Sequence, residues 1–158
     1  MSRVEARLAA LGVALPEVEA PSQGRLFPWV VIRGERVFVS GHGPLEAEGR
    51  LSGPFGRVGA EVSVEEGREL ARLAGISILG SLKRSLGDLD RVTGWCRVLG
   101  MVHAAPGFIR TPEVIDGVSR LILDAFGPET GAHARSAVGM AALPSGMAVE
   151  IEAELLVA

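Results

Sequence analysis

Arg135-Ser-Ala-Val-Gly-Met-Ala-Ala-Leu-Pro-Ser-Gly-Met-Ala-Val-Glu-Ile-Glu-Ala-Glu-Leu-Leu-Val157 is the stretch on which the reading of this chain turns. In its second half Met147, Val149, Ile151, Ala153, Leu155 and Val157 alternate with Glu150, Glu152 and Glu154. Side chains of a strand point to opposite faces in turn, so this is a half-buried strand with a glutamate face. Leu143-Pro144-Ser145-Gly146 is a turn, and Arg135 to Ala141 is the expected antiparallel partner. With Pro144 and Ser145 as loop residues, Gly139 opposes Glu150, Ala137 opposes Glu152 and Arg135 opposes Glu154. Opposed residues share a face. The expectation is therefore that Val138 and Met140 lie with Val149, Ile151 and Ala153 under the helices. Arg135, Ala137 and Gly139 then share the open face with the three glutamates. A one-residue slip would bury the glutamates. A solvated polar face is the commoner meaning of such a pattern; a binding face with small residues leaving room beside opposite charges is the other.

Upstream, the elements alternate. Ser2 to Leu11 reads as a short helix stopped by Gly12, with Pro16 beyond it. Glu17 to Pro28 is a connector. Trp29 to Arg33 and Val37 to Ser40 flank Gly34-Glu35 as a β-hairpin. Gly41 to Gly59, broken by glycines and prolines, is long enough for a functional loop. Ser63 is an N-cap type before Glu65, Glu66 and an apolar series from Leu70 to Leu86 at helical spacing, with Gly87 as the stop. Val92 to Val102 is a strand. Thr111-Pro112-Glu113 opens a helix with proline at its first position, which Gly127-Pro128 ends. This order predicts an α+β fold, a mixed or antiparallel sheet with two helices on one face and an extra N-terminal helix. The 158 residues suit one domain, residues 1–158, with 1–16 as a helical extension.

Composition removes several classes of function. The net charge is −3 and the densest basic pair is Lys83-Arg84, so the cationic surface that nucleic acid requires is missing. The single cysteine, Cys96, rules out an internal disulfide and a thiolate zinc cluster, and mid-strand it reads as a small buried hydrophobe. Charged Arg3, Glu5 and Arg7 interrupt any signal-peptide core, and no apolar run reaches a membrane span. A cytoplasmic, membrane-free protein is the expectation by elimination. Three histidines without metal-ligand spacing make a metal site improbable.

Arg135-Ser-Ala-Val-Gly139, Leu143-Pro144 and Val149-Glu150-Ile151-Glu152-Ala153 together resemble the C-terminal signature of the YjgF-like reactive intermediate deaminases (RidA), also called endoribonuclease L-PSP or translation inhibitor proteins. Val37-Phe38-Val39-Ser40-Gly41 resembles the strand and glycine turn before that family's binding loop. The N-terminal helix and His42-Gly43-Pro44 suggest a divergent branch. The resemblance implies a chorismate-mutase-like fold, a homotrimer, and ligand clefts between subunits. It implies that Arg135 grips the carboxylate of a 2-imino acid. Glu150 would position the water that attacks the C=N carbon, releasing ammonia and a 2-keto acid, with no metal or organic cofactor. Ser40, Gly41, His42, Gly43, Ser136 and Ala137 would line the substrate. The chemistry is sensible: a guanidinium fork suits a planar carboxylate, and a carboxylate can orient water and relay a proton.

Three departures bear on function. Ala137 stands where family members often carry Cys, Ser or Thr; the chain has no tyrosine; and an asparagine often found on the second long helix is missing, with Asp116 near its place. In the expected hairpin Arg135 and Glu150 are four residues apart along paired strands, about 13 Å, so a site shared between subunits would suit a small substrate better. His42 and His133 fall in loops beside the site, and Gly41 and Gly43 can serve backbone geometry or an anion nest. Arg110 is a further cation before a helix. The leading function is an imine or enamine deaminase. The alternative is a non-catalytic trimer binding a small carboxylate. An endoribonuclease or translation inhibitor ranks behind both, because RNA binding calls for cations and stacking platforms.

Overall fold

Strand formation begins where β-branched residues cluster. The computed structural model describes residues 2–17 and 25–158, and within them Val30–Arg33 (β1) and Arg36–His42 (β2) form the expected hairpin around Gly34, whose φ of +60° suits glycine. The connector expected over 17–28 falls largely outside the described residues. Arg3–Ala10 is α1, capped by the Ser2 hydroxyl, with Val4 and Leu8 buried. Val64–Leu86 is α2. It opens on a capping box: Ser63 Oγ accepts from the Glu66 amide while the Glu66 carboxylate accepts from the Ser63 amide. Val92–His103 is β3, Thr111–Thr130 is α3, Ala134–Met140 is β4 and Val149–Val157 is β5. Gly127 at φ +84° breaks α3 near its end, where the sequence predicts the stop.

The five strands run in the order β1-β2-β5-β3-β4. β5 is central, antiparallel to both β2 and β3, and Val149, Ile151, Ala153, Leu155 and Val157 are buried with the core residues of α2 and α3, as their alternation predicts. β4 is not its hairpin partner. It lies at the far edge, parallel to β3, with Val98 opposite Arg135, Met101 opposite Val138 and His103 opposite Met140. The cause is α3: a strand, a crossover helix packed on the sheet and a second strand lead naturally to a parallel pair. Both edges of β5 are then taken, by β2 and β3, and residues 141–148 cross past the end of β3.

This reverses the expected facing of β4. Val98 is fully buried on the helix side, so its partner Arg135 also belongs to the helix side, with Ala137 packed against the core. Val138 and Met140, expected in the core, are exposed on the open face at 39% and 36%. Cys96, expected to be buried, is exposed beside a bulge between Trp95 and Arg97 that interrupts the alternation.

Candidate functional site

Glu150 sits on the open face of β5, opposite Met101. Its carboxylate lies directly over Gly41, so close that a Cβ at position 41 would collide with it. Gly41 belongs to a bulge in β2 between Val39 and His42, and that bulge turns the chain out of the sheet over the glutamate. A cavity of about 530 Å³ opens here, lined chiefly by Phe27, Trp29, Leu45, Leu51, Met147 and Glu150, with Gly41, His42 and Gly43 on one wall. The apolar walls matter for the chemistry. Burial, and then the neighbouring Glu152, hold the Glu150 carboxyl above the usual carboxylate range. Arg50 stands at the rim, paired with Glu46 at 2.7 Å.

His42 is expected in a loop but closes β2 and is buried at 3% exposure. Its Nδ1 lies 2.6 Å from the Ser40 carbonyl, which can only accept, so Nδ1 carries the proton. Nε2 then accepts from the Ser81 hydroxyl at 2.8 Å. The Trp29 ring lies against the imidazole at a centroid distance of 4.7 Å. Burial lowers the His42 pKa to about 4, so the ring is neutral at pH 7 and fastens the bulge to α2. Ser40 holds the connector, its Oγ donating to the Pro28 carbonyl at 2.9 Å. Gly43 passes under Met147 and Leu51 with no room for a side chain.

Arg135, Ser136 and Ala137 are elsewhere. From Glu150 to β4 is two strand spacings, about 10 Å, and Arg135 is offset a further three residues, about 10 Å, from the level of Glu150. Arg135 also emerges on the opposite side of the sheet. The 13 Å hairpin relation and the shared open face are both replaced by this larger separation. Nor does Arg135 pair with Glu154, which meets Arg36 at 3.2 Å. Instead Arg135 Nη1 donates to Asp116 Oδ1 at 2.7 Å and to Ser119 Oγ at 3.2 Å, both on α3. His133 completes the cluster. Its Nδ1 donates to the Gly131 carbonyl at 2.7 Å, so Nε2 accepts from Ser119 Oγ at 2.9 Å. Asp116, Ser119 and the aromatic lining from Phe27 and Trp29 are absent from the sequence-derived site. Asp116 and Ser119 stand three apart on one helix face, a signal readable only once that face is known to meet β4. Arg110 forms a two-pronged pair with Glu113, at 2.8 and 2.6 Å.

The comparisons with known proteins are consistent among themselves. A family model described as "YjgF/chorismate mutase-like, putative endoribonuclease" matches residues 5–154. Protein TCP17 of Trypanosoma cruzi is 39% identical over 151 residues, covering 96% of this chain and 92% of that protein. The crystal structure of Atu1372 from Agrobacterium tumefaciens, of unknown function, is 35% identical with a TM-score of 0.88, covering 98% of this chain and 92% of that one. A structure from Shewanella oneidensis described as a putative endoribonuclease is 30% identical with a TM-score of 0.90, covering 99% and 100%. RidA from Psychrobacter, at 22% identity and a TM-score of 0.59 over 88% and 94%, shares the fold. Sequence and overall fold therefore agree, and the chain belongs to the YjgF family, with its chorismate-mutase-like α+β fold.

Proposed function

We propose that this chain hydrolyses small 2-imino acids or enamines in clefts shared by neighbouring subunits of a homotrimer. The observation that carries the reading is Glu150: a carboxylate in an apolar cavity, against a bare glycine, with its pKa raised by burial. Such a group can hold a water by hydrogen bond and accept its proton as the water attacks carbon. The balance is simple. A protonated 2-imino acid and one water give a 2-keto acid and ammonium. Water and a general base suffice for the chemistry.

Arg135 of the same chain lies too far from Glu150 to hold that substrate. The reading therefore assigns the carboxylate to Arg135 of a neighbouring subunit, whose β4 edge would bring Ser136 and Ala137 with it. An edge strand that pairs on one side only among the described residues and carries exposed Val138 and Met140 supports burial of this region against another copy. Ser40, Gly41, His42 and Gly43 shape the cavity wall. Neutral His42 adds no charge to it.

One observation favours binding without turnover. Ala137 offers neither hydroxyl nor thiol to the cleft, so Glu150 would have no polar helper at that position. Ammonia release from imines generated in situ from several amino acids decides between the two. The hydrolase reading expects release above the uncatalysed rate that Glu150→Gln suppresses. Release equal to buffer, alongside retained 2-keto acid binding, would leave a carboxylate-binding protein.

A further inference from the structure

Arg135 does not wait for a ligand as a free cation. Asp116 engages it through one oxygen only, Oδ1 to Nη1 at 2.7 Å, and among the described residues no other hydrogen bond reaches the Asp116 carboxylate. The two partners differ in exposure. The Asp116 side chain is 59% accessible, while that of Arg135 is 22% accessible and steadied by Ser119, whose hydroxyl is in turn bonded to His133. The guanidinium keeps capacity as well. Among the described residues Nη2 makes only a long contact of 3.5 Å to the Pro112 carbonyl. A side-by-side pair of opposite charges with donor and acceptor capacity left on both has a chemical complement. It is a small group with a carboxylate and a cationic nitrogen carried by the same carbon atom.

We propose that the Arg135–Asp116 pair recognises the zwitterionic head of an α-amino acid or of its protonated 2-imino form, with Arg135 taking the carboxylate and Asp116 the nitrogen. The inference rests on the reading of Arg135 as the carboxylate anchor of the cleft and adds Asp116 as the residue that sets specificity. The electrostatics give its direction. A simple 2-keto acid is a monoanion and meets a guanidinium whose charge Asp116 already offsets. A zwitterion keeps the Arg135 contact and gains a charge-assisted hydrogen bond to Asp116. The protonated imine is also the form water attacks, so the pair selects the reactive species. After hydrolysis the nitrogen has left, and the product is the poorer ligand.

Calorimetric titration with L-2-aminobutyrate and 2-ketobutyrate tests this directly, because the two share a carbon skeleton and a carboxylate and differ in the nitrogen. The intact protein is expected to bind the amino acid about tenfold more tightly than the keto acid. Asp116→Asn keeps an oxygen for Arg135 and should retain the wild-type melting temperature within a few degrees. It should lose about tenfold in amino acid affinity and bind the keto acid at least as well as wild type. Arg135→Ala should lose both ligands. A purely structural ion pair would lower both affinities together in Asp116→Asn, and that result overturns the proposal. So does a wild-type preference for the keto acid, or no binding of either ligand. The same samples assayed for ammonia release separate the two readings. Selectivity that depends on Asp116 without ammonia release removes the hydrolase reading and leaves this one. Ammonia release with a preference indifferent to Asp116 does the opposite.

Discussion

A carboxylate in an apolar cavity resists ionisation, and Glu150 is held above its usual range by burial first and by Glu152 second. A raised folded-state pKa means that its contribution to stability is full below the ordinary glutamate pKa and is lost as pH rises through the folded value. Glu150→Gln should therefore melt higher than wild type at pH 8, by a margin that shrinks toward pH 4; a constant margin would mean that the group is not desolvated. The same variant should lose at least about 100-fold in ammonia release if Glu150 is the general base. His42 titrates with the other consequence. Its folded pKa is about 4 against 6.5 for the free side chain, so the unfolded chain takes up the proton first. Stability is complete above pH 6.5 and falls as pH drops toward 4. Between pH 7 and pH 5 this single group should cost about 2 kcal/mol. Urea unfolding at the two pH values measures it, and in His42→Gln the acid-induced loss should shrink by that amount.

Between elements, the decisive contact is α2 against α3. Gly117 on α3 faces the backbone carbonyl of Arg68 on α2, and a Cβ there would overlap that oxygen. Helix propensity alone predicts that Gly117→Ala stabilises by about 1 kcal/mol. The contact predicts the reverse, a loss of about 1–3 kcal/mol, because backbone must give way rather than a flexible side chain. Chemical denaturation of Gly117→Ala distinguishes the two by sign. Gly75 on α2 meets only side-chain atoms of Val118 and Leu121, at 2.8 and 3.0 Å, so its alanine variant should be the milder of the two. The close approach of these helices also fixes where α3 lies over β3 and β4. It thereby sets the Asp116 and Ser119 contacts with Arg135.

At the scale of the assembly, Glu150 and Arg135 can serve one substrate only if they come from different copies. Light scattering should give a trimer mass at micromolar concentration. A sharper test mixes Arg135→Ala with Glu150→Gln, each inactive alone, and reassembles them. A site shared between neighbours should recover activity in about a quarter of the clefts of randomly mixed trimers, whereas a site within one chain recovers none. RNA is not expected among the partners. The net charge of −3 carries no cationic stripe, and tight, salt-sensitive RNA binding would contradict that expectation.

Much of this protein is written locally. Alternation in β5, the Ser63-to-Glu66 cap of α2, proline at the start of α3 and glycine after it each follow from neighbours within a few residues. The element order and the α+β class could be read from them, as could the family signature around Arg135 and Glu150. The position of β4 could not. Its residues alternate small and apolar groups that suit either face, and a turn of the right composition precedes β5, so local pattern favoured a hairpin. Only packing of α3 across the sheet makes β4 a parallel edge strand, and that choice moves Arg135 to the helix side. The same long-range step joins Asp116, Ser119 and His133 to it, and folds Gly41 over Glu150 from the far end of the chain. Propensity and periodicity act over one turn or one strand, whereas which edge a strand occupies depends on burial summed over the whole sheet.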